Sequence, residues 1–113
     1  MPLLIGDPIV TDSAIIEQGQ KLQAGAVLGM VESSGKMKLC AKEDGNGNAI
    51  SDGSQNPYAV LLEDVDTSAS DKIAPVLLMG QVDIGELSFG AGWEKESLKT
   101  ALRSISIFAK QTL

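Results

Sequence analysis

Histidine is absent from this 113-residue chain, and cysteine occurs once, at Cys40. Without histidine the chain lacks the most common general base and metal ligand of proteins, and it cannot form a Ser-His or Cys-His nucleophile pair. A single cysteine excludes an intrachain disulfide and a thiolate metal cage within one chain. These absences exclude most hydrolase mechanisms and favour synthesis in a non-oxidising compartment.

Long apolar runs and clusters of basic residues are also missing. No apolar run reaches the roughly 18 residues that a membrane helix needs, and the start of the chain lacks the basic region of a secretory signal. The formal net charge is −6, from 9 basic and 15 acidic residues, and no cluster of lysine and arginine offers a surface for phosphate groups. We therefore expect a soluble protein that contacts neither a membrane nor a nucleic acid directly.

The residues that are present are typical of one small globular domain. Hydrophobic residues make up 43% of the chain and charged residues 21%, which is too apolar for a wholly disordered protein. Aromatic residues make up only 4%, so the core is expected to be aliphatic. The length allows one core and leaves no comfortable room for a second domain.

The first 20 residues show no sustained helical or alternating pattern, and Pro2, Gly6, Pro8 and Gly19 interrupt their short apolar pairs. We interpret residues 1–20 as an N-terminal arm with little core of its own, whose apolar residues dock onto a partner. The alternative is a terminal segment that packs on its own domain. Residues 21–113 are then expected to form the folded β domain.

Short apolar runs bounded by glycine and turn residues predict β-strands in that domain. Residues 25–31 and 36–39 flank the turn 33–35 and predict a hairpin. A long loop rich in glycine, asparagine and aspartate follows over residues 44–57 and leads into the apolar run 59–62.

The next apolar run, residues 73–79, contains Pro75. Proline cannot donate a ladder hydrogen bond, so this strand is expected to have an edge or a bulge there. Gly80 is expected to break the run before residues 81–87. The polar residues 63–72 that precede the run are interpreted as a solvated connection between two core strands.

Helical periodicity occurs in one stretch near the C-terminus. Apolar residues recur at positions i, i+3, i+4 and i+7, with acidic residues before them and basic residues after them, as the helix dipole prefers. This pattern predicts a helix near residues 95–104, with Ile107 and Phe108 in a closing strand or an apolar plug. The predicted fold class is mainly β with one C-terminal α-helix.

Four aspartates, Asp44, Asp52, Asp64 and Asp66, are the candidates for chemistry. Residues 44–48 and Asp52 resemble part of a calcium loop, but the sixth position is not glycine, the twelfth is not glutamate, and no helices flank the loop. Asp64 and Asp66 have the spacing of one strand face, as a carboxylate pair would need. Turn residues beside them favour solvated connections, so no cofactor, metal or catalytic residue is predicted. A calcium-binding or enzymatic module built on these acids is the alternative.

Six segments occur together, in order, over nearly the whole chain. They are PIVT (8–11), GQKLQAGAVLGMV (19–31), SGK (34–36), DGSQNPYAVLLEDVDTSA (52–69), APVLLMGQV (74–82) and LKTALRSISIF (98–108). In this order they resemble the lambda-type bacteriophage head decoration proteins, which stabilise capsids, and residues 53–82 are the most specific part. Residues 104–107 and the longer loop 44–50 depart from the family's usual pattern.

The resemblance implies a β-clip-like bent ribbon or small barrel that assembles as a homotrimer on the outer surface of the phage head, at threefold positions. It implies a cementing role without chemistry, with the major capsid protein as partner, after synthesis in the cytoplasm of the host bacterium. A trimeric adhesin or tail accessory domain is a further alternative with the same composition.

Apolar residues of the arm and of the C-terminal region are the candidates for contacts with the capsid and between protomers. The arm is expected to contact the capsid by adding a strand to an exposed edge of a capsid sheet and ordering on binding. Its candidate contacts are Leu4, Ile5, Pro8, Ile9, Val10 and Thr11. The candidates for the trimer interface are Trp93, Ile107 and Phe108.

Overall fold

The computed structural model describes residues 10–110, and short β-strands dominate them. The strands are β1 (Val10–Ile16), β2 (Lys21–Leu22), β3 (Val27–Met30), β4 (Met37–Leu39), β5 (Ala59–Leu61), β6 (Val65–Asp66), β7 (Lys72–Asp83) and β8 (Ile107–Lys110). A 3₁₀ turn (Ile84–Glu86) follows β7, and the helix α1 (Lys95–Arg103) precedes β8. No helix within residues 10–110 is long and apolar enough to cross a membrane.

Five of the strands close into a small barrel. Their order is β1, β4, β3, β5, β7, and β7 pairs back onto β1. All neighbours are antiparallel except β1 and β4, which meet in parallel at Ile16 and Met37. The parallel strand β8 extends the sheet from β7, while β2 and β6 form a separate two-stranded sheet. The predicted class, mainly β with a small barrel and one C-terminal helix, is confirmed.

Several local predictions are confirmed as well. β3 and β4 form the predicted antiparallel hairpin, with Met30 opposite Met37, and Gly35 takes a positive φ of 73° in its turn. α1 lies where the periodicity places it, and it buries Leu98 and Leu102 on one face. The residues after it form a closing strand, which was one of the two alternatives.

Gly80 does not end the strand that contains it, so that prediction is wrong. β7 continues through Gly80 to Asp83 because the strand changes partners at this residue. Up to Met79 it pairs with β1, whereas Gly80 pairs with Ile107 of β8 and donates its N–H to the carbonyl of Ser106 at 3.2 Å. A residue without a side chain suits the point where β7 leaves the barrel.

Pro75 pairs with Ser13 of β1 and lies where the ladder of β7 with β5 ends, so its missing donor falls at the end of a ladder and not on an edge strand or in a bulge. Its carbonyl accepts the N–H of Leu62 at 3.1 Å, on the β5 side of β7. The N and O atoms of one strand residue point to the same side, so the nitrogen of Pro75, which has no hydrogen to donate, also faces the β5 side of β7. It lies just beyond the last pair of the β5 ladder, Leu61 with Val76. The irregularity in the β1–β7 register lies elsewhere, between Val10 and Thr11.

Residues 10–16, which the sequence analysis placed in the arm, form β1 of the barrel. They pair along their whole length with β7, and Ile16 is fully buried while Ala14 packs against the same cluster. Inward residues at every second position fit a strand with one buried face, a pattern too short to stand out in the sequence. The arm's function stays a prediction, and β1 itself belongs to the fold.

Two aliphatic clusters form the core. One fills the barrel between β1, β3, β5 and β7, and the other lies under α1 and β8. The barrel cluster includes Ile16, Leu28, Leu61 and Val76, and the helix cluster includes Val82, Leu98, Leu102 and Ile107. Fully burying one such side chain contributes roughly 2 kcal/mol. The partly buried Phe89 and Trp93 only border the helix cluster, in keeping with an aliphatic core.

Candidate functional site

Asp44 and Asp52 each close the turn in which they occur. The carboxylate of Asp44 accepts the backbone N–H groups of Asn46 at 2.8 Å and Asn48 at 3.0 Å, and these bonds, that of Asn48 first, lower its pKa. Asp52 accepts from the hydroxyl of Ser54 at 2.5 Å, which is the main cause of its lowered pKa, and from Lys38 at 3.2 Å.

Asp64 and Asp66 also bind their own chain. Asp64 accepts the N–H of Ala24 at 2.8 Å, which ties the start of β6 to the loop before β3. Asp66 accepts from both the hydroxyl and the N–H of Ser68, and these bonds lower its pKa. Within the part of the chain that the structure describes, no three acidic, cysteine or histidine residues lie together in a way that would hold a metal ion. Asp44, Asp52 and Asp66 therefore cap local turns, and Asp64 joins two distant segments of the chain.

Cys40 and Trp93 pack together near the helix end of the barrel. Burial raises the pKa of the Cys40 thiol to about 11, with Trp93 and Lys42 opposing the shift, and the thiol donates to the carbonyl of Gln55 at 3.4 Å. A protonated thiol in this setting behaves as a small hydrophobic group. The ammonium of Lys42 lies 4.2 Å from the centre of the Trp93 ring, a cation–π contact.

The three candidates for the trimer interface differ in accessibility. β8 alternates, with Ile107 and Ala109 pointing into the core and Phe108 and Lys110 pointing outward. Ile107 is therefore fully buried within its own chain, whereas Phe108 is 40% exposed. Trp93 is partly buried against the helix cluster and covered on one face by Lys42. Of the three, Phe108 offers the most open apolar surface.

Of the candidates for capsid contact, Val10 and Thr11 lie at the start of β1. Leu4, Ile5, Pro8 and Ile9 lie outside the described residues. Val10 and Thr11 are exposed and pair with Met79 and Leu77 of β7. On its other side β1 meets β4 only at Ile16, so within residues 10–110 the edge from Val10 to Ile15 has no strand partner. In the sequence, this open edge comes directly after residues 1–9, which contain the other capsid-contact candidates.

Exposed apolar side chains that the sequence analysis did not single out lie close to this edge. Ile15 is 45% exposed and stands opposite Ile73, which is 73% exposed. Tyr58, 43% exposed, borders two shallow cavities of about 250 and 230 Å³, the first of which is also lined by Asp12–Ile15 of β1. Only the cross-strand register brings Ile15 and Ile73 together, and the sequence carries no direct signal of it.

The comparison with protein-family models identifies one family for this chain. The model described as bacteriophage lambda head decoration protein D matches residues 2–107, which include β1 to β7, α1 and the start of β8. No curated protein matches the sequence. Because the match covers nearly the whole chain and the fold is the small β barrel expected of it, the chain belongs to the family of the bacteriophage lambda head decoration protein D, a structural component of the phage head.

Proposed function

We propose that the protein binds as a homotrimer to the outer surface of the expanded phage head, at its threefold sites, and stabilises the shell against the pressure of packaged DNA. The family match over residues 2–107 carries this proposal. A protein that binds the expanded shell but not its compact precursor stabilises the expanded form by its differential affinity. Several contacts per trimer would add by effective concentration into a slowly dissociating clamp.

The roles of the aspartates support a structural function over an enzymatic or calcium-binding one. Asp44, Asp52, Asp64 and Asp66 all accept hydrogen bonds within their own chain. Thermal melting with and without calcium tests the alternative, because a ligand that binds only the folded state raises the midpoint. A calcium-dependent rise would favour the binding module.

The proposed location and partners follow from the same role. The protein would be made in the cytoplasm of the host bacterium, where the lone Cys40 stays reduced, and would then assemble on the major capsid protein. The packaged DNA lies inside the shell, so no contact with nucleic acid is needed, and the net charge of −6 agrees with that.

The decisive experiment is co-sedimentation of the protein with expanded and with unexpanded heads of its phage. We expect saturable binding to expanded heads only, at a ratio set by the threefold sites, together with a higher temperature of head disruption. Equal binding to both forms would contradict a cementing role and would favour an adhesin or tail accessory domain.

The N-terminal residues are the proposed capsid contact: they would add a strand to an exposed edge of a capsid sheet and order on binding, next to the open edge of β1. Removing residues 1–9 leaves β1 intact, whereas removing Val10 and Thr11 as well would shorten a barrel strand. We expect the chain lacking residues 1–9 to fold and to lose protection of expanded heads. Replacing the same residues with a glycine and serine segment of equal length is the matched control for length. Normal head binding by both variants would contradict the contact.

A further inference from the structure

The basic residues of the chain fall into two sets. In the first set each side chain has an acidic or aromatic neighbour. Lys36 pairs with Asp71 at 2.7 Å, Lys38 pairs with Asp52 at 3.2 Å, Lys42 lies over Trp93, and Lys21 and Lys72 act on Asp66. The second set is Lys95, Lys99, Arg103 and Lys110, none of which forms an ion pair within residues 10–110. In a protein of net charge −6, the cations that form no ion pair with another described residue thus all belong to the C-terminal part of the sequence.

Three of these cations line one groove between α1 and β8. The groove has a volume of about 420 Å³ and is lined by Glu96, Lys99, Thr100, Arg103, Phe108, Ala109 and Lys110. Among the described lining residues Glu96 is the one acid, so three positive charges of the described region face one negative charge. Arg103 is the only arginine of the chain, and a guanidinium is well suited to binding carboxylates. Phe108 adds an exposed apolar side chain.

The strand on one side of this groove has a free edge. β8 pairs in parallel with β7, and no strand of the described region lies along its other side. A free edge carries unpaired N–H and C=O groups that accept an additional extended segment. The groove therefore fits an extended segment that carries negative charge.

Such a segment is present on the chain itself. Residues 63–66 contain three acids in four positions, and Val65–Asp66 is the extended strand β6, which pairs on one side with β2. Glu63 and Asp64 are exposed and form no ion pair within the described residues. The other pair of consecutive acids, at residues 43–44, is closed into a turn by the carboxylate of Asp44 and is not extended.

We propose that the groove between α1 and β8 receives the acidic segment 63–66 of a second copy of the chain, edge strand to edge strand. Each copy then offers a basic groove to one neighbour and an acidic strand to the other. A head-to-tail contact of this kind joins different surfaces and closes into a ring when its rotation fits. The inference rests on the trimer proposed above and assigns its interface.

Charge reversal within one helix tests the assignment. Lys99→Glu changes a groove residue, and Lys95→Glu makes the same change one turn earlier on α1, outside the groove. We expect Lys99→Glu to weaken trimer association about tenfold or more by sedimentation velocity in low salt, as close charge pairs at interfaces do, and Lys95→Glu to leave it unchanged. Glu63→Lys should weaken the trimer in the same way, and the chain carrying both Lys99→Glu and Glu63→Lys should recover it. Circular dichroism melting of each variant verifies that it is folded.

Three results would overturn the assignment. A wild-type trimer that Lys99→Glu and Glu63→Lys leave intact would show that the cations only keep an edge strand solvated. Loss of head binding by Lys99→Glu with an intact trimer would show that the groove faces the capsid. A wild type that is monomeric in solution and also forms no cross-linked trimers on expanded heads would overturn the trimer of the proposed function itself, and a wild type that forms trimers only on heads moves the comparison of the variants to cross-linking on heads.

Discussion

Gly29, in the middle of β3, is the residue against which the loop between β4 and β5 packs. A Cβ atom at this position would lie 2.1 Å from the carbonyl oxygen of Ser54 and 2.6 Å from its Cα atom. Ser54 is itself fully buried, and its hydroxyl donates to Asp52. The loop segment 52–55 thus packs against the barrel with Ser54 buried and its neighbours half-buried, in backbone contact with this glycine.

Gly29→Ala should therefore destabilise the protein strongly. The added methyl group meets backbone atoms, which cannot move away as a flexible side chain would, so we expect a loss of about 3 kcal/mol in the free energy of unfolding. Gly45→Ala is the matched control, because a Cβ atom there meets nothing within 4 Å. Urea unfolding of both variants measures the difference, and equal stability would contradict the close contact.

The burial of Thr67 is a feature that could not be predicted from the sequence. From its neighbours it reads as part of a polar turn, yet it is fully buried. Its hydroxyl donates to the carbonyls of Glu17 at 2.7 Å and Gln20 at 3.1 Å and accepts the N–H of Gln20 at 2.9 Å. Those partners are about 50 positions away in sequence, so no local pattern predicts them. The segment after β1 is fastened to the rest of the chain through this side chain.

Among the elements, those defined by local signals were predictable. The spacing of Leu98 and Leu102 predicts α1, and turn residues between two apolar runs predict the hairpin of β3 and β4. The full length of β7 was not predictable, because its continuation past Gly80 depends on pairing with β8. The basic groove was missed for a related reason: its cations are spaced four and seven positions apart, and only the packing of α1 beside β8 brings them together.

The loop between β4 and β5 is divided into two parts with different roles. Residues 42–49 are exposed, Glu43 bridges to Ala49, and the N–H of Asp44 donates to the carbonyl of Asn48 at 2.9 Å. Lys42 and Glu43 at its base donate their N–H groups to the carbonyl of Ala91, and residues 44–48 form the exposed tip of a small hairpin. Residues 52–55, in contrast, pack on β3 through Gly29.

Shortening the exposed part should leave the protein folded. Asn-Gly in place of residues 44–48 joins the paired Glu43 and Ala49 through a turn that suits a two-residue hairpin, so we expect the free energy of unfolding to change by less than about 1 kcal/mol. The same replacement of residues 52–56 should prevent folding. Urea unfolding distinguishes the two variants, and comparable losses from both would contradict the division.

For the whole molecule, closure of the barrel is the feature that sequence patterns do not reveal. β1 and β7 pair over seven positions although about 60 residues separate them, and β1, the first strand of the described residues, thereby completes the core. The sequence suggested an arm because proline and glycine surround this short strand. The family resemblance, which depends on the order of segments along the whole chain, identified the fold class that local patterns left open.

The titration of the whole molecule follows from its lack of histidine and from a few shifted groups. Hydrogen bonds from Asn48, Ser54, Ser68 and Lys36 lower the pKa values of Asp44, Asp52, Asp66 and Asp71, respectively. Groups whose pKa is lower in the folded state stabilise it above their unfolded pKa, near 3.9, and lose this effect as the pH falls.

Two groups act at alkaline pH. The bond to Asp71 raises the pKa of Lys36 in the folded state, so the stabilisation that Lys36 contributes is lost as the pH rises through this folded pKa. The Cys40 pKa of about 11 means that the unfolded thiol ionises first, which destabilises the fold above about pH 9.

We therefore expect the free energy of unfolding to be nearly constant between about pH 5 and 8, where no side chain of the protein has its ordinary pKa. It should fall below about pH 4 as the turn-closing carboxylates are protonated, and again above about pH 9. Urea unfolding at a series of pH values measures the profile. Asp52→Asn should flatten the acid limb, and Cys40→Ala should flatten the alkaline limb, while Glu43→Gln, at an exposed position outside the proposed interface, serves as the control. A marked change in stability between pH 5 and 8 would contradict this account, since it would require a titrating group that the sequence does not supply.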